Sequence, residues 1–329
     1  MRNKRDTRSK LNSVSGLSVK VSVVVPVYNE AGNIPEFVRR VTTQLESCVA
    51  SHEILFAVDP SSDGTEMVIE KLSLVDPRVR ATVLSRRFGQ PAATICGLER
   101  CKGDAAIVMD CDLQDPPELL PSLISKWHEG FDVVYAKRRH RDGETRVKKL
   151  TAKLGYSLIN RLSQVEIPQN TGDFRLISRR VIEELRNFPE THGFLRGLVA
   201  LVGFSQTEVL FDRPARYSGT GKYNRFVGSL RIGFNGIFAF SSSLLNLSTI
   251  FGVLAALLSF VVAFAYGGLK LVGVEFPIGN PTIVTLILLI GGLQLVCLGI
   301  MGQYVARIYD ESKRRPRYIV DRQIGGAKN

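Results

Sequence analysis

The chain has 329 residues, enough for one domain of ordinary size with further elements beside it. Its 43 Lys and Arg residues outnumber 31 Asp and Glu residues, a formal net charge of +12, but no recognisable DNA- or RNA-binding motif accompanies them, so nucleic acid is not an expected partner. Five cysteines without a CxxC pair fit neither a disulfide framework nor a zinc site, and we expect reduced thiols.

From residue 20 the chain alternates short β-branched runs with amphipathic stretches. Strands are predicted at residues 21–25, 53–58, 79–84, 105–110 and 132–136, and helices at 32–47, 65–76, 92–101 and 118–129. Strands that alternate with helices indicate an α/β fold with a mainly parallel sheet and right-handed crossovers. In such sheets ligands bind beyond the carboxyl ends of the strands.

The second half of the chain is apolar. No charged side chain occurs between Arg231 and Lys270, or between Glu275 and Arg307. A spanning helix needs about 20 apolar residues, so we predict membrane spans at 247–266 and 283–304. Before them, apolar residues at helical spacing predict an interfacial amphipathic helix at 223–240, for which a buried helix of the soluble domain is the alternative.

The flanks of these spans predict their orientation. The loop between them carries one Lys and one Glu, whereas five basic residues lie between Gln303 and Tyr318, so the positive-inside rule places the preceding α/β domain and both termini in the cytoplasm. The predicted layout is a basic tail at 1–19, an α/β domain at 20–222, an interfacial helix at 223–243, a two-helix membrane region at 244–308 and a basic cytoplasmic tail at 309–329.

Acidic motifs end three predicted strands. The first strand runs into PVYNE at residues 26–30, the second into Asp59 of DPSSDGT, and the fourth into DCDLQDPPE at residues 110–118. Carboxylates held together repel each other, so such a site usually holds a cation. The alternative for Asp112 and Asp115 is a helix cap, because Asp before Pro suits a helix start.

A fourth motif, GDFRL at residues 172–176, places Asp173 on a predicted loop before another helix. Basic residues accompany it: Arg138 follows the fifth strand, and Arg196, Arg213, Arg216 and Lys222 precede the apolar half. Guanidinium forks match phosphate oxygens. Solvated surface charge and attraction to anionic lipid are the alternatives for these cations.

The chain resembles family 2 of the GT-A-fold glycosyltransferases in four motifs that are followed by two apolar stretches. These motifs are VPVYNE, DPSSDGT, DCDLQDPPE and GDFRL. Within that family they are similar to the polyprenyl-phosphate branch, which includes dolichol-phosphate mannose synthases and GtrB-type bactoprenol glucosyltransferases. The resemblance covers about residues 20–317. One position departs from the pattern, because the second strand ends in Val58-Asp59 where the family often has two aspartates.

This resemblance implies an inverting, divalent-metal-dependent hexosyltransferase that moves glucose from UDP-glucose to polyprenyl (undecaprenyl) phosphate, with GDP-mannose as the alternative donor. The resemblance assigns nucleotide-sugar contacts to Pro26, Tyr28, Glu30, Asp59 and Asp110, Mg²⁺ or Mn²⁺ ligands to Asp112 and Gln114, and catalytic roles to Asp112 and Asp173. By charge and position, Arg138 is a candidate contact to the nucleotide sugar, and the candidate contacts to the acceptor or diphosphate are Arg175, Arg196, Arg213, Arg216 and Lys222. The second pKa of a phosphate monoester is about 6, so the acceptor phosphate is mostly a dianion at neutral pH. Asp173 therefore need not remove a proton from it.

Two other functions are weaker alternatives. A processive polysaccharide synthase would need a QxxRW-like motif and more spans, but the only tryptophan is Trp127, in an early predicted helix. An inactive membrane scaffold would not need Asp110, Asp112, Gln114 and Asp173 to be intact. Two helices form a small membrane body for a long lipid, so we also expect homo-oligomerisation through the spans.

Overall fold

The computed structural model describes residues 19–139, 171–188, 195–212, 243–273 and 279–326. The chain separates into two units, one comprising residues 1–152, 166–224 and 316–329, the other 153–165 and 225–315. The predicted interfacial helix lies outside the described residues, as do Arg213, Arg216 and Lys222.

The first unit is an α/β domain. Its described elements are β1 (Lys20–Val27), α1 (Ile34–Leu45), β2 (Ser51–Val58), α2 (Thr65–Val75), β3 (Val79–Leu84), α3 (Gln90–Arg100), β4 (Ala105–Val108), a 3-10 turn (Pro117–Leu119), α4 (Leu120–His128), β5 (Val133–Arg138), β6 (Thr171–Ser178), α5 (Arg179–Asn187), α6 (Leu195–Leu201), β7 (Gln206–Phe211) and β8 (Val320–Ile324). Every strand and helix predicted between residues 20 and 136 is present, with small shifts at the ends.

The strands form one sheet in the order β7-β5-β6-β4-β1-β2-β3-β8. Strand β1 runs parallel to β2 and β4, β2 to β3, and β5 to β7. Strand β6 is antiparallel to both β4 and β5, and β8 is antiparallel to β3. The predicted mainly parallel α/β sheet is therefore confirmed.

Strand β1 lies inside the sheet and is apolar on both faces. Val23, Val24 and Val25 are all completely buried, as expected for a parallel strand covered by helices on both sides. Helix α3 packs against this strand at Gly97, where an added Cβ atom would lie 2.3 Å from Val24 Cγ1. Glycine at this position thus lets α3 approach β1 closely, and this approach places the first turn of α3 near the end of β1.

Two segments differ from the sequence-based expectation. Asp173 of GDFRL was predicted to lie on a loop, but the structure places the motif in β6, where Arg175 and Leu176 pair with both β4 and β5. That prediction was wrong because charged residues break the apolar alternation of a strand, whereas here Asp173 and Arg175 are balanced by partners distant in sequence. The predicted basic tail contains β8, whose polar sequence VDRQI forms an edge strand with only Ile324 buried.

The second unit contains two long helices, α7 (Ser243–Leu271) and α8 (Asn280–Ser312). Among the side chains that the structure describes, one stretch, Leu289–Ser312, is long and apolar enough to cross a membrane by length and composition, and Ser248–Val262 is a shorter apolar stretch. Large apolar side chains on both helices are exposed, including Phe260 and Leu295. The structure thus offers one candidate span, and the second span stays a prediction.

Candidate functional site

The predicted site residues gather at one edge of the sheet, where neighbouring strands β4, β1 and β2 have their carboxyl ends. Strand β6 runs in the opposite direction and begins at this same edge. Val108 of β4 pairs with Arg175 of β6, and Asp110 and Asp173 each lie two residues beyond that pair. Both carboxylates therefore leave the sheet at the same edge, next to each other in strand order.

The PVYNE turn after β1 is fastened to the loop after β2. The Asn29 backbone N–H donates to Ser61 Oγ at 3.0 Å, and the Ser62 N–H donates back to Asn29 Oδ1 at 2.8 Å. The Glu30 N–H donates to Thr65 Oγ1 at 2.9 Å. Asn29 has a φ of 53°, in the left-handed region that Asn tolerates better than most residues. These bonds hold the turn that presents Tyr28 and Glu30.

The Asp59 carboxylate holds the start of α3. Asp59 is 3% exposed, and its Oδ1 and Oδ2 accept hydrogen bonds from the backbone N–H groups of Phe88 (3.0 Å) and Gly89 (2.9 Å). Gly89 has a φ of 93°, which favours glycine. Amide groups at a helix N-terminus favour a negative partner. Asp59 thus ties the end of β2 to the loop between β3 and α3, and its predicted contact with a nucleotide stays a prediction.

That β3–α3 loop, residues 85–89, and the first turn of α3 bring two side chains to the site that the sequence analysis did not name. The Arg87 guanidinium lies 4.0 Å from the centroid of the Tyr28 ring, and Gln90 Nε2 donates to Asp110 Oδ1 at 2.8 Å. A cation over an aromatic face is attracted by the ring quadrupole. Applying the strand-end rule to the third strand, as to the first, second and fourth, would have found both residues.

The acidic turn after β4 is strained and firmly held. Leu113 has a φ of 59°, unusual for a bulky residue, yet its side chain is only 2% exposed and packs in the main core. On one side the Gln114 N–H donates to Asp112 Oδ1 at 3.1 Å, and on the other the Asp110 N–H donates to Asp115 Oδ2 at 3.3 Å. Burial of Leu113 therefore stabilises a turn that directs Asp112 and Gln114 together.

Negative charge is concentrated around this turn. Burial, together with the nearby carboxylates of Glu30, Asp112 and Asp110, raises the pKa of the Cys111 thiol well above its usual range. The thiol is therefore neutral and a poor nucleophile at physiological pH. Carboxylates that converge in this way repel one another, and a bound cation relieves that repulsion.

The donor set suits a cation that also takes substrate oxygens. Among the described residues, no group of three or more His, Cys, Asp or Glu side chains is placed to hold a metal ion. The Asp112 carboxylate and the Gln114 side-chain carbonyl lie on one turn and are oxygen donors, the type that Mg²⁺ prefers. Mg²⁺ commonly binds through one or two protein oxygens, substrate phosphates and water, and this small set fits such a mode.

A cationic cluster surrounds Asp173 at the start of β6. Arg196 Nε lies 2.9 Å from Asp173 Oδ1, and Arg175 Nη2 lies 3.6 Å from the same oxygen. Arg138 Nη2 lies beside Gly172, 3.4 Å from where a Cβ would be. Burial alone would raise the pKa of Asp173, but Arg196, Arg175 and Arg138 outweigh it and lower the pKa. Asp173 is therefore ionised, and the cluster keeps a net positive charge.

Arg175 supports this cluster from inside the domain. Its side chain is completely buried, donates from Nη2 to the Gly172 carbonyl at 2.8 Å, and lies 5.0 Å from the centroid of the Tyr135 ring. Burial lowers the pKa of Arg175, although the Asp173 carboxylate opposes that shift. The predicted contact of Arg175 with an acceptor stays a prediction, whereas its contact with the Asp173 segment is present.

The arrangement joins an anionic turn to a cationic cluster on neighbouring strands. The first can hold a cation, and the second can hold phosphate oxygens through guanidinium groups. An ionised carboxylate with a lowered pKa is a weak base, so the geometry favours an electrostatic and orienting role for Asp173 over proton removal. Of the predicted site residues, those in the described part of the chain all lie in β1, β2, β4, β5, β6 and α6 or in the turns that follow them.

Comparison with known proteins identifies the family. The model of glycosyl transferase family 2 matches residues 22–186. The chain is 40% identical to an uncharacterised glycosyltransferase of Bacillus subtilis, over 93% of this chain and 95% of the relative. It is 39% identical to the bactoprenol glucosyl transferase of Shigella phage SfV, over 92% of this chain and 98% of the relative. Among solved structures, mannosyl-3-phosphoglycerate synthase from Rubrobacter xylanophilus is 19% identical with a TM-score of 0.46, over 80% of this chain and 78% of that one.

Proposed function

The chain belongs to glycosyltransferase family 2, and on this premise we propose that it transfers glucose from UDP-glucose to the phosphate of a polyprenyl phosphate such as undecaprenyl phosphate. One observation carries the proposal: the anionic turn after β4 and the cationic cluster at the start of β6 lie at the same edge on adjacent strands. A nucleotide-sugar diphosphate with its cation and an anionic acceptor need these two environments side by side. The bactoprenol relative supports the choice of lipid and sugar.

On the donor side, the nucleotide sugar contacts Tyr28 and Asp110, with Pro26, Glu30 and Asp59 shaping the pocket around it. Asp112 and Gln114 would hold Mg²⁺ or Mn²⁺, which would offset the negative charge that develops on the departing nucleoside diphosphate. The rigid turn built on Leu113 keeps Asp112 and Gln114 in one orientation, so little reorganisation is needed when the charge develops.

On the acceptor side, the phosphate of the lipid is the nucleophile. Its second pKa is about 6, so at neutral pH it is mostly a dianion and needs no base. Arg138 and Arg196 offset its charge, and Asp173 holds Arg196 in place through the 2.9 Å contact. A phosphate oxygen forms a bond to the anomeric carbon while the bond from that carbon to the diphosphate oxygen breaks. The products are inverted polyprenyl phosphoglucose and UDP.

The lipid acceptor also explains the second unit. We infer that α7 and α8 both cross the membrane, with the catalytic domain and both termini on the cytoplasmic side, and that the helices associate with those of other copies. Two observations support this: Leu289–Ser312 satisfies the length and apolarity of a span, and the exposed side chains of both helices are predominantly large and apolar.

The decisive experiment supplies lipid and donor together. Detergent-purified protein is incubated with undecaprenyl phosphate, Mg²⁺ and radiolabelled UDP-glucose or GDP-mannose, and the lipid products are separated by thin-layer chromatography. We expect a labelled lipid from UDP-glucose, its loss with a chelator, and a loss of at least about 100-fold in Asp112→Asn. Glu129→Gln, which changes an exposed carboxylate paired with Lys126, is the matched control and should retain activity.

Each result of that experiment has a definite meaning. A labelled lipid from GDP-mannose alone would replace glucose by mannose in the proposal while keeping the reaction. An absence of labelled lipid with every donor, or full activity in Asp112→Asn, would contradict the proposed function.

A further inference from the structure

Residues 317–324, which follow α8 in the chain, form part of the first unit and are called the C-terminal strap here. The strap adds β8 to the edge of the sheet along β3, with Ala81 paired to Ile324 and Leu84 paired to Val320. The pairing extends one residue into the β3–α3 loop, because the Ser85 N–H donates to the Ile319 carbonyl at 2.9 Å. The strap therefore borders the loop whose backbone binds Asp59.

Tyr318 anchors the strap to α3. Its ring packs with Phe88 against a small core formed by Ala57, Leu84, Ala93 and Cys96. Its hydroxyl donates to Glu99 Oε2 at 2.5 Å, and Arg317 Nη1 lies 3.6 Å from Glu99 Oε1. The strap thus contacts both carboxylate oxygens of Glu99, near the end of α3. Tyr318 also packs against the same small core as Phe88, which lies in the loop that precedes α3.

Arg322 anchors the strap to the other loop of the site. Its Nη2 lies 2.5 Å from Glu66 Oε2 in the first turn of α2. Glu66 Oε1 in turn accepts a hydrogen bond from the Ser61 N–H at 3.4 Å, and the Ser61 hydroxyl receives the N–H of Asn29. One strap side chain is therefore connected, through Glu66, to the segment that fastens the turn carrying Tyr28.

These contacts converge on the pocket assigned to the donor nucleotide. Tyr318 packs against the same small core as Phe88, whose N–H donates to Asp59, and Arg322 contacts Glu66, which accepts a hydrogen bond from the loop that binds Asn29. We propose that the C-terminal strap is a positioning element of the nucleotide site, which holds the loops after β2 and β3 in the geometry that binds the donor. The identity of the ligand rests on the proposed function, whereas the positioning of the loops does not.

The acceptor cluster provides the internal comparison. Asp173 and Arg175 lie on β6, and β4, β1, β2 and β3 separate that strand from β8 in the sheet. Disturbing the strap should therefore change binding of the donor and leave binding of the acceptor unaltered. If the strap had a merely structural role, its disturbance would instead weaken binding of both the donor and the acceptor and also lower the stability of the domain.

The test uses the full chain in detergent with substitutions in the strap. Tyr318→Ala removes the ring and its hydroxyl, Tyr318→Phe removes only the bond to Glu99, and Gln323→Ala changes an exposed side chain of the same strand as the matched control. Hydrogen–deuterium exchange is measured on a peptide containing Phe88 and Gly89. KM is measured separately for UDP-glucose and for polyprenyl phosphate, and UDP affinity is measured by calorimetry.

We expect Tyr318→Ala to exchange faster at Phe88 and Gly89 and to raise the KM for the nucleotide sugar about 10-fold, with the KM for the lipid unchanged. Tyr318→Phe should give a smaller change in the same direction, and Gln323→Ala none. Unchanged exchange in both Tyr318 variants, or an equal rise of both KM values, would overturn the proposal. If Tyr318→Ala does not fold, Tyr318→Phe decides.

The two proposals fail in different ways. If the unaltered protein transfers sugar from no donor, the proposed function has failed, and the strap is then judged by exchange at Phe88 and Gly89 and by UDP affinity. If transfer is observed but exchange at those residues does not respond to Tyr318→Ala or Tyr318→Phe, the function stands and the role of the strap is refuted.

Discussion

Replacing Asp173 with asparagine removes one negative charge from among three guanidinium groups and keeps the size of the side chain. Arg196 Nε at 2.9 Å and Arg175 Nη2 at 3.6 Å lose their anionic partner, and Arg175 is completely buried. Removing one partner of a buried pair costs about 3–5 kcal/mol. Because the Asp173 side chain is 30% exposed, solvent screens part of this loss, and we expect about 2–3 kcal/mol.

The only tryptophan provides the assay for this loss. Trp127 lies in α4 and packs against the main core, so its fluorescence reports unfolding of the catalytic domain. A loss of about 2–3 kcal/mol corresponds to a fall in Tm of roughly 4–12 °C for a domain of this size. The double variant with Arg175→Met removes both charges and should recover part of that stability, while transfer stays low in the single and the double variant because the charge of Asp173 is absent from both.

The pH dependence gives an independent check. The cluster lowers the pKa of Asp173, so its contribution to stability is present above the unfolded pKa of about 3.9 and is lost as the pH falls through the lower folded value. The difference in stability between the unaltered protein and Asp173→Asn should therefore shrink below about pH 4. A variant with an unchanged Tm, or a double variant whose losses simply add, would refute the electrostatic argument.

Three further predictions concern buried groups away from this cluster. Glu53, 3% exposed, accepts from Ser22 Oγ at 2.6 Å and from Arg80 Nη1 at 2.7 Å, so Glu53→Gln should destabilise the domain by about 3 kcal/mol at neutral pH in a denaturant titration. These partners outweigh burial and lower the pKa of Glu53, so the destabilisation by Glu53→Gln should diminish in acid as the pH falls through the folded pKa of Glu53. A destabilisation that stays constant down to about pH 3 would contradict this. Gly97→Ala should cost about 1–3 kcal/mol through contact with Val24, and Val24→Ala in the same chain should relieve part of it; additive losses would argue against the close approach. Cys111 should resist iodoacetamide at pH 8 in the folded protein and react after unfolding, as followed by mass spectrometry, and rapid native labelling would disprove its burial.

The elements between residues 20 and 136 were predictable because each strand is an apolar, β-branched run and each helix is amphipathic. Val23, Val24 and Val25 of β1 are all buried, so the strand needs no alternation to be recognised. In contrast, β6 carries Asp173 and Arg175 in its interior, and the Asp173 charge is balanced in part by Arg196, 23 residues later. Pairing between distant residues has no local signature, and for this reason GDFRL was taken for a loop.

The candidate site was also predictable only in part. Motifs at strand ends placed Asp110, Asp112 and Gln114 at one edge, because parallel strands bring their carboxyl ends together. The partners of those motifs were not predictable. Asp59 binds two backbone N–H groups 29 and 30 residues later in the chain, and the strand-end rule places Gln90 of the preceding helix at this edge but does not pair it with Asp110. Backbone donors and loop geometry depend on the folded chain and leave no trace in residue type.

The long distance in sequence between β3 and β8 affects the order in which the domain can fold. Its partner strand β3 leaves the ribosome long before residues 320–324 are translated, and domains begin to fold during synthesis. The edge of β3 therefore stays unpaired while everything between Leu84 and Val320 is synthesised, on the order of 10–50 s at about 5–20 residues per second. An unpaired edge can capture strands of other chains, and the β3 edge of each newly made molecule is covered only when residues 320–324 have been synthesised.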